Sequence, residues 1–193
     1  MGRRGDDTRG RILRVARKLM SERGYVGTTL KDIEKETGLT RGSIYHHYAS
    51  KEDMGKEILS SAKKDLLSFV DSTLSGETSL EKLENHFRQI TERHASRRFV
   101  GGCIFGNSAV ELSDRYESFR LFLAGVFEEW RRRIESVLRE GVEKGEVRRG
   151  ADPSRISKMT ISAIEGAILL SRVEKERGPL QETFEAILSL LRP

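Results

Sequence analysis

The sequence predicts an all-α protein, with an N-terminal three-helix domain that contains a helix-turn-helix and a larger helical domain after it, about nine helices in all. Apolar residues recur at steps of three and four from Ile12 to Leu191, which is the spacing of one helix face. No segment shows the alternation of a half-buried strand. Only three prolines among 193 residues, with 34% charged residues, also favour a soluble, helix-rich chain.

The composition excludes several classes of protein. No apolar run approaches the roughly 18 residues that a membrane span needs. The N-terminal stretch MGRRGDD is followed by no apolar segment of the kind that a secretory signal carries. The single cysteine, Cys103, excludes an internal disulfide and a multi-cysteine zinc site. We therefore expect a cytoplasmic protein with no membrane partner and no cofactor.

Residues 29–51 carry the most informative pattern, two short helices joined by a glycine turn. Thr29 suits the N-cap of the first helix, and Gly38 stands where a helix end needs the left-handed conformation. Thr40 suits the N-cap of the next helix, whose buried face centres on Ile44. The other face of that helix mixes a guanidinium, hydroxyls and imidazoles, groups that contact phosphates and base edges. The pattern predicts a helix-turn-helix.

Positive charge is concentrated in the same part of the chain. Of the net charge of +5, residues 1–51 carry +6 and the remaining residues carry −1. A solvated basic face could produce this asymmetry, but its coincidence with the helix-turn-helix favours a nucleic-acid footprint.

Further helices are predicted after the helix-turn-helix. They cover residues 50–73, 80–98, 103–113, 114–144, 153–177 and 180–191. The helix over 153–177 is apolar on two sides, and a helix of this kind is buried on two sides. With the last helix it suits a subunit interface, in which two such hairpins form a four-helix bundle and Gly166 allows close approach. The expected interface residues are Ile156, Ile164, Ala167, Ile168, Phe184, Ile187, Leu188 and Leu191.

Three segments of the N-terminal part together form a family signature. They are GYVGTTLKDI over 24–33, TGLTRGSIYHHY over 37–48 and SKE over 50–52. The chain resembles the TetR/AcrR family of bacterial transcriptional regulators, and the matches cover nearly all of residues 10–59. GCIFGNSAVEL over 102–112 and EGAILLSR over 165–172 look like motifs of branches that respond to drugs, flavonoids and other apolar compounds.

The resemblance implies a ligand-responsive repressor that binds a palindromic double-stranded DNA operator as a homodimer. It implies a DNA-binding domain over 1–49 and an effector-binding and dimerisation domain over 50–193. Arg41, Ser43 and His46 are candidates for base readout, and His47 fits a phosphate ligand and half-buried packing equally well. The full set of expected DNA-binding residues is Thr28, Thr29, Thr40, Arg41, Gly42, Ser43, Tyr45, His46, His47 and Lys51.

Arginines near the N-terminus extend this hypothesis. Arg3, Arg4, Arg9 and Arg11 form either a basic arm that follows the DNA backbone or, for residues 1–5, a frayed and solvated terminus.

The resemblance also implies a pocket for a small apolar effector in the second domain. Each candidate taken singly is more typical of core packing than of ligand contact, but the aromatic content as a group suggests an apolar cavity with few polar anchors. The candidate lining residues are Phe87, Ile90, His94, Cys103, Phe105, Phe122, Phe127, Trp130 and Glu165.

Three other functions are weighed against this one. Cys103 could act as an enzyme nucleophile beside His86 or His94, although a lone cysteine among small residues is more often packing. The same three residues could bind a metal, although three ligands without a fourth are a weak zinc signature. The protein could also activate transcription or organise DNA rather than repress.

Overall fold

The computed structural model describes the backbone from Arg3 to Pro193 and the side chains from Asp7 onward. Within that range the chain forms nine α-helices and no strand, so the predicted all-α fold is confirmed. The helices are α1 (Arg3–Arg23), α2 (Leu30–Thr37), α3 (Arg41–His47), α4 (Lys51–Thr73), α5 (Ser79–Ala95), α6 (Ile104–Leu112), α7 (Glu117–Lys144), α8 (Pro153–Glu174) and α9 (Gly178–Leu191). None of the described helices combines the length and hydropathy that crossing a membrane requires.

Two helix ends differ from the sequence prediction because left-handed residues stop the helices early. Helix α5 ends at Ala95 rather than near residue 98, since Arg98 and Phe99 have φ angles of 52° and 55°. Helix α8 ends at Glu174 rather than near residue 177, since Lys175 has a φ of 61°. Neither stop is a glycine, which is the residue that normally marks a left-handed cap.

The described chain divides into two compact units. The N-terminal unit contains the helices up to Lys64 together with Cys103–Leu123, and the C-terminal unit contains Asp65–Gly102 and Ala124–Pro193. The division falls within α4 and within α7. The predicted boundary after residue 49 follows the DNA-binding motif, whereas this division follows packing and groups α6 with the first three helices.

The N-terminal unit is built around one apolar core. Helix α1 packs on α2 and α6, and α2 packs on α3. Arg9 pairs with Glu57 at 2.5 Å, and Arg11 donates to the carbonyl oxygen of Thr37. Both arginines, expected in a basic arm, therefore bind this unit's own residues, while the side chains of Arg3 and Arg4 lie outside the described residues. The core side chains include Ile12, Ala16, Leu19, Met20, Ile33, Ile44, Met54, Ile58, Leu59, Phe105, Leu112, Phe119 and Leu123.

The C-terminal unit is held by aromatic packing and by ion pairs between helices. Helix α9 packs on α5 and α8, and the rings of Phe87 and Phe184 stack with centroids 4.5 Å apart. Lys82 on α5 pairs with Glu140 on α7 at 2.7 Å. Burying these aromatic rings supplies much of the hydrophobic free energy of such a core.

Helix α8 is apolar on two sides, as expected, but only one side is covered within the chain. Most of the residues expected at a subunit interface are buried in the single chain, namely Ile164, Ala167 and Ile168 of α8 and Phe184, Ile187 and Leu191 of α9, while Ile156 and Leu188 are half-buried. The opposite side of α8 leaves Leu169 59% and Val173 72% exposed, with Met159, Gly166 and Leu170 beside them.

Candidate nucleic-acid interface and effector site

The helix-turn-helix is fixed by caps at three of its ends. The side chain of Thr29 accepts from the Asp32 amide at 3.1 Å, and the Asp32 carboxylate accepts from the Thr29 amide at 2.9 Å. These bonds from Thr29 hold the pKa of Asp32 below its ordinary value. Gly38 ends α2 with a left-handed φ of 66°, and Thr40 caps α3 by accepting from the Ser43 amide at 3.3 Å. All three caps predicted from the sequence are confirmed.

Helix α3 presents nearly all of its surface to solvent. Of its seven residues only Ile44 is buried. Arg41 and His46 are exposed, and Tyr45 is 47% exposed. The Arg41 Nε donates to Glu34 Oε1 at 3.2 Å, an exposed ion pair of small net strength. Of the three residues expected to read bases, Arg41 and His46 are therefore exposed, whereas Ser43 is half-buried.

Gly42 adds open space to that surface. The position is helical and exposed, and a Cβ added there meets nothing within 4 Å. The protein's own packing therefore gives no reason for a glycine, a residue that is unfavourable in a helix.

Two of the predicted DNA-binding residues have contacts within the N-terminal unit. Thr28 is only 1% exposed, and its hydroxyl donates to the Gly24 carbonyl oxygen at 2.8 Å. The Thr28 side chain thus stabilises the connector between α1 and α2. The Lys51 Nζ lies 4.3 Å from the centroid of the Tyr25 ring, and burial lowers the pKa of Lys51. This cation–π contact holds the lysine at the start of α4.

Glu111 on α6 is a residue whose contact the sequence did not indicate. Its Oε2 accepts from the Val26 amide at 2.7 Å, across 85 positions of sequence. The Gly24 backbone lies so close that a Cβ there would be 1.7 Å from Glu111 Oε1, and Gly24 has a left-handed φ of 78°. The carboxylate therefore fixes the connector before the helix-turn-helix to α6.

An aromatic contact joins α4 and α7 to the same connector. The rings of Tyr25 and Phe119 lie 5.7 Å apart, and a Cβ on Gly55 would be 2.7 Å from Tyr25 Cε2. Tyr25 is thus packed tightly between the first turns of α4 and α7, and desolvation raises its pKa to about 12.

The residues expected to line an effector pocket fall in both units. Cys103 and Phe122 are half-buried and Phe105 is buried in the N-terminal unit. In the C-terminal unit, Phe87, Ile90 and Trp130 are buried, while His94, Phe127 and Glu165 are half-buried. In the C-terminal group, the rings of Phe87 and Trp130 both lie next to the ring of His86.

His86 is the centre of this aromatic group. Its ring is fully buried, with the rings of Phe69, Phe87 and Trp130 at centroid distances of 5.9, 6.2 and 6.4 Å. Its Nδ1 lies 2.7 Å from Thr73 Oγ1. Burial lowers the pKa of His86 to about 4, so the imidazole is neutral at pH 7. The sequence singled out His86 only as a possible metal ligand or base, and in the described part of the chain no three or more His, Cys, Asp or Glu side chains could hold a metal ion.

A capped helix-turn-helix with an accessible second helix, in an all-α chain, defines a DNA-binding transcriptional regulator. Residues 12–58 match the model for bacterial regulatory proteins of the tetR family, and residues 79–187 match that for the tetracyclin repressor-like C-terminal domain. The chain belongs to the TetR family. Members of this family regulate transcription and are generally not enzymes.

Named relatives agree with this assignment. The chain is 31% identical to the HTH-type transcriptional repressor DhaR of Mycobacterium sp. (strain GP1), over 96% of this chain and 92% of that protein. It is 29% identical to the transcriptional regulator AcuR of Cereibacter sphaeroides, over 88% and 78% of the two chains. A crystal structure of a TetR transcriptional regulator from Chloroflexus aurantiacus matches with a TM-score of 0.88 at 29% identity, covering 97% of this chain and 96% of that one.

Gly42→Ala should separate stability from DNA binding. We expect it to raise the free energy of unfolding by a few tenths to about 1 kcal/mol, because alanine favours the helix. It should weaken DNA binding, because the methyl group fills the space nearest the DNA. Urea unfolding and fluorescence anisotropy with labelled DNA measure the two effects. Gly125→Ala, another helical glycine with nothing within 4 Å of an added Cβ, is the control and should leave DNA affinity unchanged. Equal affinities for both variants would contradict a close approach at Gly42.

Acid should destabilise the protein through His86. An unfolded histidine is protonated near pH 6.5, whereas folded His86 is protonated only near 4. Between pH 4 and pH 6.5 the unfolded state therefore binds more protons at this position than the folded state does. The contribution of neutral His86 to the free energy of unfolding is complete above pH 6.5 and is lost as the pH falls toward 4. Between pH 7 and pH 5, His86→Gln should remove about 2 kcal/mol of pH dependence. Urea unfolding at both pH values tests this, with His46→Gln on exposed α3 as the control. A wild-type pH dependence in His86→Gln would refute it.

Proposed function

We propose that this protein is a ligand-responsive repressor, which binds a palindromic operator as a homodimer and is released by a small apolar effector. The observation that supports DNA recognition most directly is helix α3, which is anchored by Ile44 and leaves Arg41, Tyr45 and His46 exposed. A relative that aligns with 96% of this chain, at 31% identity, is named a repressor, which supports repression rather than activation. Its site of action is the cytoplasm, where the operator DNA lies.

The operator contacts divide into readout and positioning. Arg41 reaches a guanine O6 and N7 once it leaves Glu34, while Ser43 and His46 contact neighbouring base edges. Thr29, Thr40, Tyr45 and Lys51 bind phosphates and set the register of α3 in the groove, and His47 lies beside them. Thr28 supports the connector through its backbone-bound hydroxyl, so we leave it out of the contact surface.

The dimer surface is the uncovered side of α8. An exposed apolar stripe on a helix is covered when two copies pack as a four-helix bundle. Its residues are Met159, Gly166, Leu169, Leu170 and Val173, and Leu190 of α9 is also exposed. Most of the interface residues expected from periodicity are buried inside the chain, so they pack behind this surface rather than forming it. A two-fold dimer matches the two-fold symmetry of the operator.

Effector release is a shift between two conformational populations. An effector that binds the C-terminal unit better in the released state reduces the fraction of protein competent for DNA. The direct test of the function is transcription from the gene's own promoter, with purified protein added to polymerase. Repression that a bound effector reverses is expected, and activation or no effect would refute the proposal.

Lys51→Ala and Arg41→Ala should weaken operator binding in different ways. Lys51→Ala removes one phosphate contact, so it should weaken binding to all sequences alike and reduce the slope of log affinity against log salt by about 1. Arg41→Ala should also reduce discrimination at one base pair, by about 1–3 kcal/mol. Anisotropy titrations against an operator and single-base variants, at several salt concentrations, measure both. Lys64→Ala, an exposed lysine further along α4, should behave as wild type. Identical behaviour of the first two variants would show that their assigned contacts are wrong.

Leu169→Glu combined with Leu170→Glu should dissociate the dimer. Both side chains are more than half exposed in the single chain, so the charges leave the fold intact but repel across a two-fold interface. Sedimentation velocity should give a monomer, and operator affinity should fall. Val110→Glu, a charge at an apolar residue of α6 that is 86% exposed, is the matched control and should remain dimeric. A dimer in the double variant would refute this interface.

A further inference from the structure

Of the buried side-chain polar atoms in the C-terminal unit that have no hydrogen-bond partner in the described part of the chain, two lie on neighbouring aromatic rings. His86 Nε2 and Trp130 Nε1 have no hydrogen-bond partner among the described residues, and both side chains are buried. Their rings are perpendicular, at 87°, with centroids 6.4 Å apart. Burying polar atoms without partners costs stability, so native proteins seldom do it without a bound molecule or water.

The hydrogen bonds of Thr73 determine whether His86 Nε2 is a donor or an acceptor. Thr73 Oγ1 lies 2.7 Å from the Phe69 carbonyl oxygen, which can only accept. The single hydrogen of the Thr73 hydroxyl therefore points to that carbonyl, and the hydroxyl oxygen accepts from His86 Nδ1–H. A neutral imidazole protonated at Nδ1 leaves Nε2 as an acceptor. Trp130 Nε1–H is a donor only, so the pair consists of one acceptor and one donor.

A hydroxyl group carries both functions that the two atoms require, a hydrogen to donate and lone pairs that accept. Its hydrogen donates to His86 Nε2, and its lone pairs accept from Trp130 Nε1–H. A carbonyl or ether oxygen would satisfy Trp130 alone. A carboxylate would place its charge against the lone pair of His86 in an aromatic surrounding, where an unpaired charge is strongly unfavourable.

We propose that His86 and Trp130 form the polar end of the effector site, and that the effector is an uncharged hydroxyl compound with an apolar body. The rings of Phe69 and Phe87 lie next to His86 and supply apolar contact for that body. This inference rests on the proposed function only in naming the bound molecule an effector. A single trapped water would make the same two bonds, and the experiment distinguishes the two.

The test uses the full-length, DNA-free protein and matched pairs of small molecules. Each of 1-butanol, cyclohexanol and phenol is compared with its methyl ether, which keeps the acceptor and loses the donor. Isothermal titration calorimetry gives the affinities. Trp130 is the only tryptophan in the chain, so for the aliphatic pairs its fluorescence reports directly on the bond at Nε1. We expect at least one alcohol to bind about tenfold more tightly than its ether, the effect of one buried hydrogen bond, and to shift the emission to longer wavelength.

Variants separate this bonding from a general structural effect. His86→Phe should abolish the preference for alcohol over ether. Thr73→Val removes the partner of Nδ1 and lets the proton move to Nε2, so the preference should shift toward the ether even where the fold is unchanged. His46→Phe, on exposed α3, is the control and should keep the wild-type preference. Equal binding of alcohols and ethers, or no binding of any alcohol in the series, overturns the inference and leaves a site that holds water only.

Operator binding is measured separately on the wild-type protein, since His46 belongs to the proposed DNA-binding surface. An alcohol that binds with the expected preference and weakens operator binding supports both proposals. An alcohol that binds in this way without changing operator affinity supports the hydroxyl site and rejects effector release through it.

Discussion

A helix of seven residues is too short to be stable by itself in water, and the DNA-binding surface depends on overcoming that limit. Helix α3 does so with one buried side chain, Ile44, and with the hydroxyl cap of Thr40. Every further residue buried for stability would be lost to recognition. Helix α2 packs on α3, and α1 packs on α2 and α6. With this support, α3 leaves Arg41, Tyr45 and His46 exposed.

Contacts within the same unit fix the connector that precedes the helix-turn-helix. Glu111 on α6 holds the backbone of Val26, and Tyr25 is packed between Lys51, Gly55 and Phe119. These contacts leave little room for independent motion of the connector, since a methyl group at Gly24 or Gly55 would already clash. Helices α4 and α7 each continue into the C-terminal unit.

The C-terminal unit combines a conventional apolar core with a polar pair that the core leaves unsatisfied. Phe87 and Phe184 stack as core residues do, whereas His86 and Trp130 bury nitrogen atoms that need a partner. Stability alone would favour apolar residues at both positions. Their presence is consistent with a unit that gives up some stability in order to bind.

The sequence by itself determined the helices, their caps and the family, because these depend on local chemistry. Thr29, Gly38 and Thr40 act on neighbours within four positions, and the three segments of the signature all lie within residues 24–52. The tertiary structure decided what covers each apolar face. Periodicity shows that Ile164, Ile168 and Phe184 face something apolar, but only the fold shows that their own chain covers them and leaves Leu169 and Val173 outside. It likewise decided that Thr28 is buried and that Glu111 reaches Val26, since contacts across 85 positions leave no periodic trace in the sequence.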